Sequence, residues 1–511
     1  MLARVLSSSL IGIDPYLVEV EVNVEGHAFR YSTVGLPELA VRESKDRVIS
    51  AIKNSGFRFP PKAYTINLAP ADIKKEGSAF DLPIAIGILA ALGIVMHEDL
   101  EDYVLMGELS LDGTLRSVKG ALPSAVGVHE HSMKGLILPA ENAREAAVTG
   151  NIDVIPVNTL LEAIQFLNGE KIIEPLEVNA EHLFSEAQNY HVDLADVRGQ
   201  SHVKRALEVA ASGGHNVLMI GPPGSGKTML AKRFPTILPQ MTLEEALETT
   251  KIHSIAGMVK TEGLVATRPF RSPHHTISDA ALVGGGRIPR PGEVSLAHHG
   301  VLFLDELPEF QKNVLEVLRQ PLENTEVTIS RASMSLTYPA NFILLSAMNP
   351  CPCGYSSDPR HECTCSSVGI QKYMAKISGP LLDRIDLHIE VPAIPFEELS
   401  SKQDGESSYE VRKRVQLARD TQIQRFSNNS HIHSNADMPP KMIRSICKIN
   451  GESASLLKSA ITNLGLSARA YDRILKVSRT IADLSESSEI QSEHISEAIQ
   501  YRTLDRQLWM A

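Results

Sequence analysis

The run at 221–228, G-P-P-G-S-G-K-T, constrains this chain more than any other stretch. It fits a pattern in which glycines let backbone N–H groups converge on phosphate oxygens, a lysine neutralises the outer phosphates and a hydroxyl ligates Mg²⁺. Lys227 and Thr228 take those last two places, and Gly221, Pro222, Pro223, Gly224, Ser225 and Gly226 make the cradle. An apolar run at 216–220 precedes the loop and M-L-A-K-R at 229–233 follows it. That order reads as strand, loop, helix, with the helix N-terminus aimed at the anion. A chance glycine turn would have neither these flanks nor the second motif, G-V-L-F-L-D-E at 300–306. There four apolar residues make a central strand that delivers Asp305 and Glu306 to its C-terminal end. Asp305 is expected to hold Mg²⁺ through water, and Glu306 to orient and deprotonate an attacking water.

A length of 511 residues is too much for one core and suggests roughly three domains. The expected boundaries are 1–180, 181–395 and 396–511. A net charge of -11 excludes a surface that is basic all over, so contact with nucleic acid must be local, in a groove or pore. The longest apolar stretch, 82–96, contains Pro83, Gly87 and Gly93 and falls short of the roughly 20 residues that span a bilayer, so a buried helix is expected and no membrane partner. No signal peptide is evident, because no long apolar region follows Arg4. Four of the five cysteines fall at 351–365, which is not a secreted disulfide framework, and the expected compartment is the cytoplasm.

Along the first segment Val18, Val20, Val22 and Val24 alternate with polar residues, the period of a half-buried strand. Residues 41–54 read as an amphipathic helix and 64–68 as a strand. Strands near 103–109 and 135–138 flank a helix at 123–130. The Glu-rich stretch 168–189 reads as a linker. Here V-G-L-P-E (34–38), I-N-L-A-P-A-D (66–72) and K-E-G-S-A-F-D-L-P-I-A (75–85) resemble the N-terminal domain of the Mg-chelatase-like AAA+ proteins of the YifB and ComM type. The resemblance spans nearly the whole chain. It implies an α/β protein: an AAA+ P-loop core with a helical C-terminal lid, plus an N-terminal α+β Lon-protease-like (ribosomal S5 domain 2-like) domain. In Lon the turn matching 75–81 carries a nucleophilic serine, but Ala79 stands there, and Leu122 where the partner lysine would fall. Ser78 is the substitute nucleophile, with Lys74, Lys75 or Lys119 as its base, and a Ser-Lys pair needs a desolvated lysine within reach of the hydroxyl. A structural or assembly module without protease activity is expected.

Within the core, D-L-A-D-V-R-G-Q at 193–200 resembles the AAA+ entry segment, where the residues after Val197 approach the adenine. An insert at 254–299 resembles the one that projects into the central pore in the Mg-chelatase and minichromosome-maintenance branch. Residues 251–300 hold six Lys or Arg against three acids. Arg268, Arg271, Arg287 and Arg290 are either phosphate-backbone contacts or part of a solvated loop. The pairs His274/His275 and His298/His299 suggest hydrogen-bonding or pore-loop roles rather than a metal site. A hairpin at 327–338 resembles the one before sensor 1 in replicative helicases and puts Arg331 near its tip, in contact with DNA or on an ordinary surface. The next strand, 342–347, delivers Asn349, the sensor 1 residue that helps place the attacking water.

Cys351, Cys353, Cys363 and Cys365 form two C-x-C pairs that can surround a tetrahedral structural Zn²⁺. Reduced free thiols and disulfides are the alternatives, and His361 is a substitute ligand. Cys447 reads as core. In S-G-P-L-L-D-R-I-D (378–386) the family resemblance makes Arg384 an arginine finger for the neighbouring subunit's γ-phosphate. An ion pair with Asp383 or Asp386 is the alternative. The rest reads as helices at 409–426, 440–449, 453–464, 467–484 and 492–502, with Arg469 matching the sensor 2 arginine and Arg473 next in line. The pattern D-x-S-x-S at 483–487 reads as a helix-to-helix turn. The resemblance implies ATP and Mg²⁺ as cofactors, a homo-hexamer, and DNA, single-stranded and branched, as partner, with recombinase proteins alongside. Its implied function is ATP-dependent DNA translocation, a helicase promoting branch migration in natural transformation and homologous recombination. A Mg-chelatase-like remodelling ATPase acting on a protein or metal-insertion partner is the alternative.

Overall fold

A computed structural model describes all residues except 76, 97–99, 180–181, 185–189, 260–262, 287–288, 332–333, 359, 395–404, 428, 430–431, 465–466 and 505–511. Two compact units emerge, residues 1–187 with 243–266, and residues 188–242 with 267–511.

The first unit is built on a seven-stranded mixed sheet. Its strands are β1 (Leu2–Ile11), β2 (Asp14–Glu25), β3 (Arg30–Val34), β4 (Ala63–Ala69), β5 (Tyr103–Leu105), β6 (Gly135–Pro139) and β7 (Asp153–Val157), in the order β3-β4-β2-β1-β5-β6-β7. The valine alternation along β2 does what its period demands, with Val18, Val20, Val22 and Val24 all inside. Between β3 and β4 runs α1 (Leu39–Asn54), and α2 (Asp81–Ala91) follows β4. Packed against β1, β2 and α1, α2 is apolar on every side, as a helix with no solvent face must be. It stops earlier than the apolar stretch does, its last turn closing at Leu92 before Gly93. Pro83 sits in its first turn, where the missing N–H costs nothing.

The second unit is a five-stranded, all-parallel sheet. After α3 (Ser201–Gly213) come β8 (Val217–Ile220), α4 (Lys227–Arg233), β9 (Phe270–Arg271), β10 (Val301–Leu304), β13 (Ile343–Met348) and β14 (Leu387–Glu390), in the order β9-β10-β13-β8-β14. Between β10 and β13 lies the hairpin of β11 (Glu326–Arg331) and β12 (Met334–Pro339). The apolar runs at β8 and β10 are wholly buried, which is why they lack the alternation of a half-exposed strand. Ahead of the hairpin stand two short helices, Lys312–Glu316 and Arg319–Asn324. Pro321 has no N–H to continue a single helix through that point. After β13, α5 (Ser367–Met374) leads towards β14. The C-terminal helices α6 (Ser408–Phe426), α7 (Ala468–Leu484) and α8 (Ser492–Gln500) follow, with α6 and α7 packed on α3. Asp483, head of the D-x-S-x-S pattern, is buried at the end of α7, held by Arg425 (2.8 Å to Nη1) and Arg479 (3.1 Å to Nε). Among the described residues no helix is long and apolar enough to cross a membrane.

Candidate nucleotide site and cysteine centre

Three neighbouring strands, β10, β13 and β8, end side by side and release Asp305, Asn349 and Gly221 into one crevice. Ligands of open parallel sheets bind at such carboxyl ends. The loop from Gly221 turns back through Gly224 (φ +74°) and Gly226 (φ +88°), left-handed conformations that favour glycine, and α4 starts at Lys227. Lys227 Nζ donates to the carbonyls of Gly221 (2.7 Å) and Pro222 (2.9 Å) and to Asn349 Oδ1 (3.2 Å). Burial draws its ammonium down to about 8, against the pull of the Asp305 carboxylate. Thr228 Oγ1 donates to Asp305 Oδ2 at 2.7 Å, and the Glu306 N–H to Asp305 Oδ1 at 3.0 Å. A hydroxyl and a carboxylate so placed, beside a desolvated cation at a helix N-terminus, fit a Mg²⁺-bearing triphosphate. Ser225 is buried within the loop, while Pro223 and Thr228 are exposed.

Two further side chains join this site, Gln200 at the end of the entry segment and His275 of the first histidine pair, and neither contact was expected from the sequence. Gln200, itself left-handed (φ +53°), donates from Nε2 to the carbonyls of Ser225 (2.8 Å) and Pro392 (3.1 Å), tying the entry segment to the phosphate loop. His275 Nδ1 lies 3.4 Å from Glu306 Oε2, and its ring meets Phe310 edge-on. Glu306 also has a left-handed backbone, with φ +54°. Such conformations persist in non-glycine residues where the surroundings fix them.

Beyond Asn349 the four cysteines close on one another. Their sulfurs all lie within 4.8 Å of each other, with Cys351–Cys353 at 3.3 Å, Cys353–Cys363 at 3.6 Å and Cys351–Cys363 at 3.7 Å. All four are free thiols. A tetrahedral ion with Zn–S bonds of about 2.3 Å separates its sulfurs by about 3.8 Å, so the set is compatible with zinc. The Tyr355 N–H and Cys351 hold the Cys353 thiol down at about 6. His361, the substitute ligand, turns its Nδ1 to Asp358 instead, at 3.0 Å.

The arginines divide. Arg268 donates to the carbonyls of Pro239 (2.7 Å), Gln240 (3.1 Å) and His299 (2.8 Å), and Arg271 makes a two-pronged pair with Glu293 at 2.6 and 2.7 Å. Both guanidiniums are thus occupied within the chain. Arg290 and Arg331 are exposed, and the fold draws them to one neighbourhood: Arg331 Nε reaches the Gly286 carbonyl (3.4 Å), and Tyr338 Oη donates to Pro289 O (2.8 Å). Arg287 lies outside the described residues. The second histidine pair also serves locally, His298 Nδ1 accepting from the Asn341 N–H at 3.0 Å.

Comparison with known proteins agrees with this geometry. The family model for magnesium chelatase, subunit ChlI, matches residues 193–399; that for subunit ChlI of Mg-chelatase matches 20–142; and the ChlI C-terminal model matches 405–502. The chain is 46% identical to competence protein ComM of Haemophilus influenzae, over 99% of this chain and 98% of the relative. It is 44% identical to the uncharacterized protein YifB of Escherichia coli over the same shares. The chain belongs to the ComM/YifB family of Mg-chelatase-like proteins. A magnesium-chelatase 67 kDa subunit of Chlorobaculum parvum matches more distantly, 28% identical over 31% of this chain and 23% of its own length. Membership in this AAA+-like family suggests an ATPase.

In this ComM/YifB-family chain the S-G-P-L-L-D-R-I-D signature is bound at every charge. Arg384 pairs with Glu323 and donates to the Pro380 carbonyl, and its side chain is 5% exposed. Its partner is therefore neither of the two aspartates considered from sequence. Those face α7: Arg469 stands 3.7 Å from Asp383, and Arg473 binds Asp386, which also accepts from the Asn216 N–H at 3.0 Å. Arg469 remains 62% exposed while Arg473 is half-buried. Residues one turn apart on α7 thus grip both acids flanking Arg384. In the first unit Ser78 donates to the Glu108 carboxylate, while Lys75 Nζ donates to the Ile73 carbonyl at 2.8 Å.

Proposed function

We propose that this chain is an ATP-driven DNA translocase that works as a ring, a hexamer, and promotes branch migration of DNA in natural transformation and homologous recombination. The observation that carries the ATPase half is the convergence of Lys227, Thr228, Asp305 and Asn349 at the ends of three adjacent strands. Lys227 and the loop N–H groups would hold the phosphates. Thr228 and Asp305 would hold Mg²⁺, which when bound neutralises charge on the phosphates. Glu306 would take the proton of the attacking water while Asn349 orients it. Arg384 would leave Glu323 to reach a neighbour's nucleotide, and Arg469 would complete the site from the C-terminal helices, which act as a lid. The DNA half rests on the name of the Haemophilus relative and on Arg290 and Arg331, exposed together at the hairpin and insert. Arg287 of the same insert would join them. Contacts of that kind act on the phosphate backbone and tolerate any sequence. The four cysteines would hold structural zinc. The first unit, with Ser78 bonded to an acid, would be a Lon-like assembly module without protease activity.

The family models favour a second reading, a remodelling ATPase of the magnesium-chelatase kind. The two separate in one assay. Branch migration of a three- or four-way DNA junction, driven by ATP and lost in Glu306→Gln, supports the translocase. Turnover indifferent to DNA but raised by a tetrapyrrole or a protein partner supports the remodelling enzyme.

A further inference from the structure

Between Cys353 and Tyr355 stands Gly354, buried, left-handed (φ +89°), its N–H closing a turn onto the Cys351 carbonyl at 3.0 Å. A Cβ at this position would lie 2.6 Å from Cδ and 2.7 Å from Cγ of Pro223, and 3.9 Å from Cγ of Asn349. Those are ring atoms of the phosphate loop, not the tip of a flexible side chain, so the cysteine turn rests directly against the nucleotide cradle. The cysteine segment is tied to the same site twice more. Cys351, wholly buried, comes two residues after Asn349 at the end of β13, and the Tyr373 hydroxyl of α5, where the segment returns to the fold, is near enough to the Asn349 backbone to feel it electrostatically.

Residues 352–365 bring almost no apolar side chains of their own, and Pro352, Ser356, Ser357 and Glu362 are exposed. A stretch without a core holds its shape through its ligands, and metal binding there is folding free energy. The four sulfurs lie close enough together to be the ligands of one tetrahedral ion, and an ion held by all four would fix the turn that carries Gly354. The surface that Gly354 presents to Pro223 therefore depends on what the sulfurs hold. Pro223 in turn precedes Gly224, where the loop takes the first of its left-handed turns towards α4.

We propose that the four-cysteine centre is a brace for the nucleotide site: a divalent metal bound there seats Gly354 against Pro223 and fixes the phosphate loop, so that metal content sets nucleotide affinity. This rests on reading the sulfurs as a metal site and 221–228 as a nucleotide site. It assigns the centre a task at the ATP end of the molecule, with Gly354 and Pro223 as positioning residues.

The test uses the full-length protein, zinc content per chain, and the affinity for a fluorescent, non-hydrolysable ATP analogue. Stripping the zinc with a chelator should weaken analogue binding about tenfold, and added Zn²⁺ should restore it. Gly354→Ala should keep its zinc and still lose about tenfold in affinity. Pro223→Ala should bind the analogue more weakly and no longer respond to zinc removal, a second route if Gly354→Ala does not fold. Unchanged affinity in the stripped protein and in a folded, zinc-loaded Gly354→Ala overturns the brace while leaving both sites intact. A folded wild type that takes up no zinc overturns it by removing the metal site, and zinc-loaded protein that ignores the analogue does so by removing the nucleotide site.

Discussion

Two glycine turns in this molecule carry a buried lysine towards the first turn of a helix, and they differ in what their charges meet. In the first unit Lys75 donates to Ile73, Ser78 to Glu108, and Asp81 at the head of α2 takes two bonds from Arg47 (2.6 and 3.0 Å) and one from the Leu109 N–H (3.2 Å). Each polar group there is answered by a neighbour, the acid by an opposite charge. In the second unit Lys227 has only neutral oxygens as bonded partners, at the N-terminus of α4, with Asp305 and Glu306 facing the same crevice. A glycine turn with a lysine is thus not yet a site. Both lysines donate to neutral oxygens, and the turns differ in their acids: Arg47 answers Asp81, while Asp305 accepts from the Thr228 hydroxyl and the Glu306 N–H and stands beside Lys227, an arrangement that fits a phosphate together with its cation.

The contrast is broken most sharply by the groups that meet the reacting phosphate. If Arg384 serves a neighbouring subunit, Arg384→Ala should lower kcat for ATP by about 10³ or more while ATP binding persists, as measured by steady-state turnover beside equilibrium binding. Glu306→Gln should cost about 10²–10⁴ in kcat through loss of the general base, again with binding kept. Ser78→Ala, in the saturated turn, should leave ATP turnover at the wild-type rate. Turnover that survives loss of Arg384 would confine catalysis to one chain and remove the reason for a ring.

How much of this was readable beforehand follows the range of the interactions. The loop at 221–228, its flanking strand and the acids at 305–306 are written in consecutive residues, and the valine period of β2 was enough to place its buried face. The cysteine spacing likewise anticipated four sulfurs in one cluster. What could not be read joins residues far apart. His275 reaches Glu306 because β9 pairs with β10, a pairing set by the sheet and not by either motif. Glu323, not the adjacent acids, holds Arg384, since the neighbours in sequence are taken by helix α7. Arg268 and Arg271 sit in a locally basic run, yet the fold spends them on carbonyls and on Glu293. Local charge counts cannot separate such arginines from exposed ones.

A smaller effect sharpens the comparison between the two lysines. With no phosphate present Lys227 loses its proton near 8, and bound phosphate favours the charged form and raises that value. Below pH 8 the ammonium is already charged, so affinity for ATP is flat. Above it each binding event must take up a proton, and affinity should fall by about tenfold per pH unit until the pKa of the bound form is passed. Titration of nucleotide binding from pH 7 to 10 reads this directly, and Lys227→Arg, which stays charged, should remove the slope while weakening binding overall.

The smallest expected change separates the two classes of arginine in the second unit. Arg290 and Arg331 are exposed in one neighbourhood, so each should contribute one phosphate contact to a sequence-independent track. Replacing either with alanine should weaken binding of single-stranded DNA a few-fold and reduce the slope of log affinity against log salt by about one. Arg271→Ala should leave that slope alone, because its guanidinium already belongs to Glu293; its cost is one half-buried ion pair, about 1 kcal/mol of folding stability read by denaturant titration. Equal loss of salt slope in all three variants would mean that the Glu293 pair opens to admit DNA. The insert would then have to be rearranged on binding, and the division between half-buried and exposed arginines would describe the protein only before it meets its polyanion.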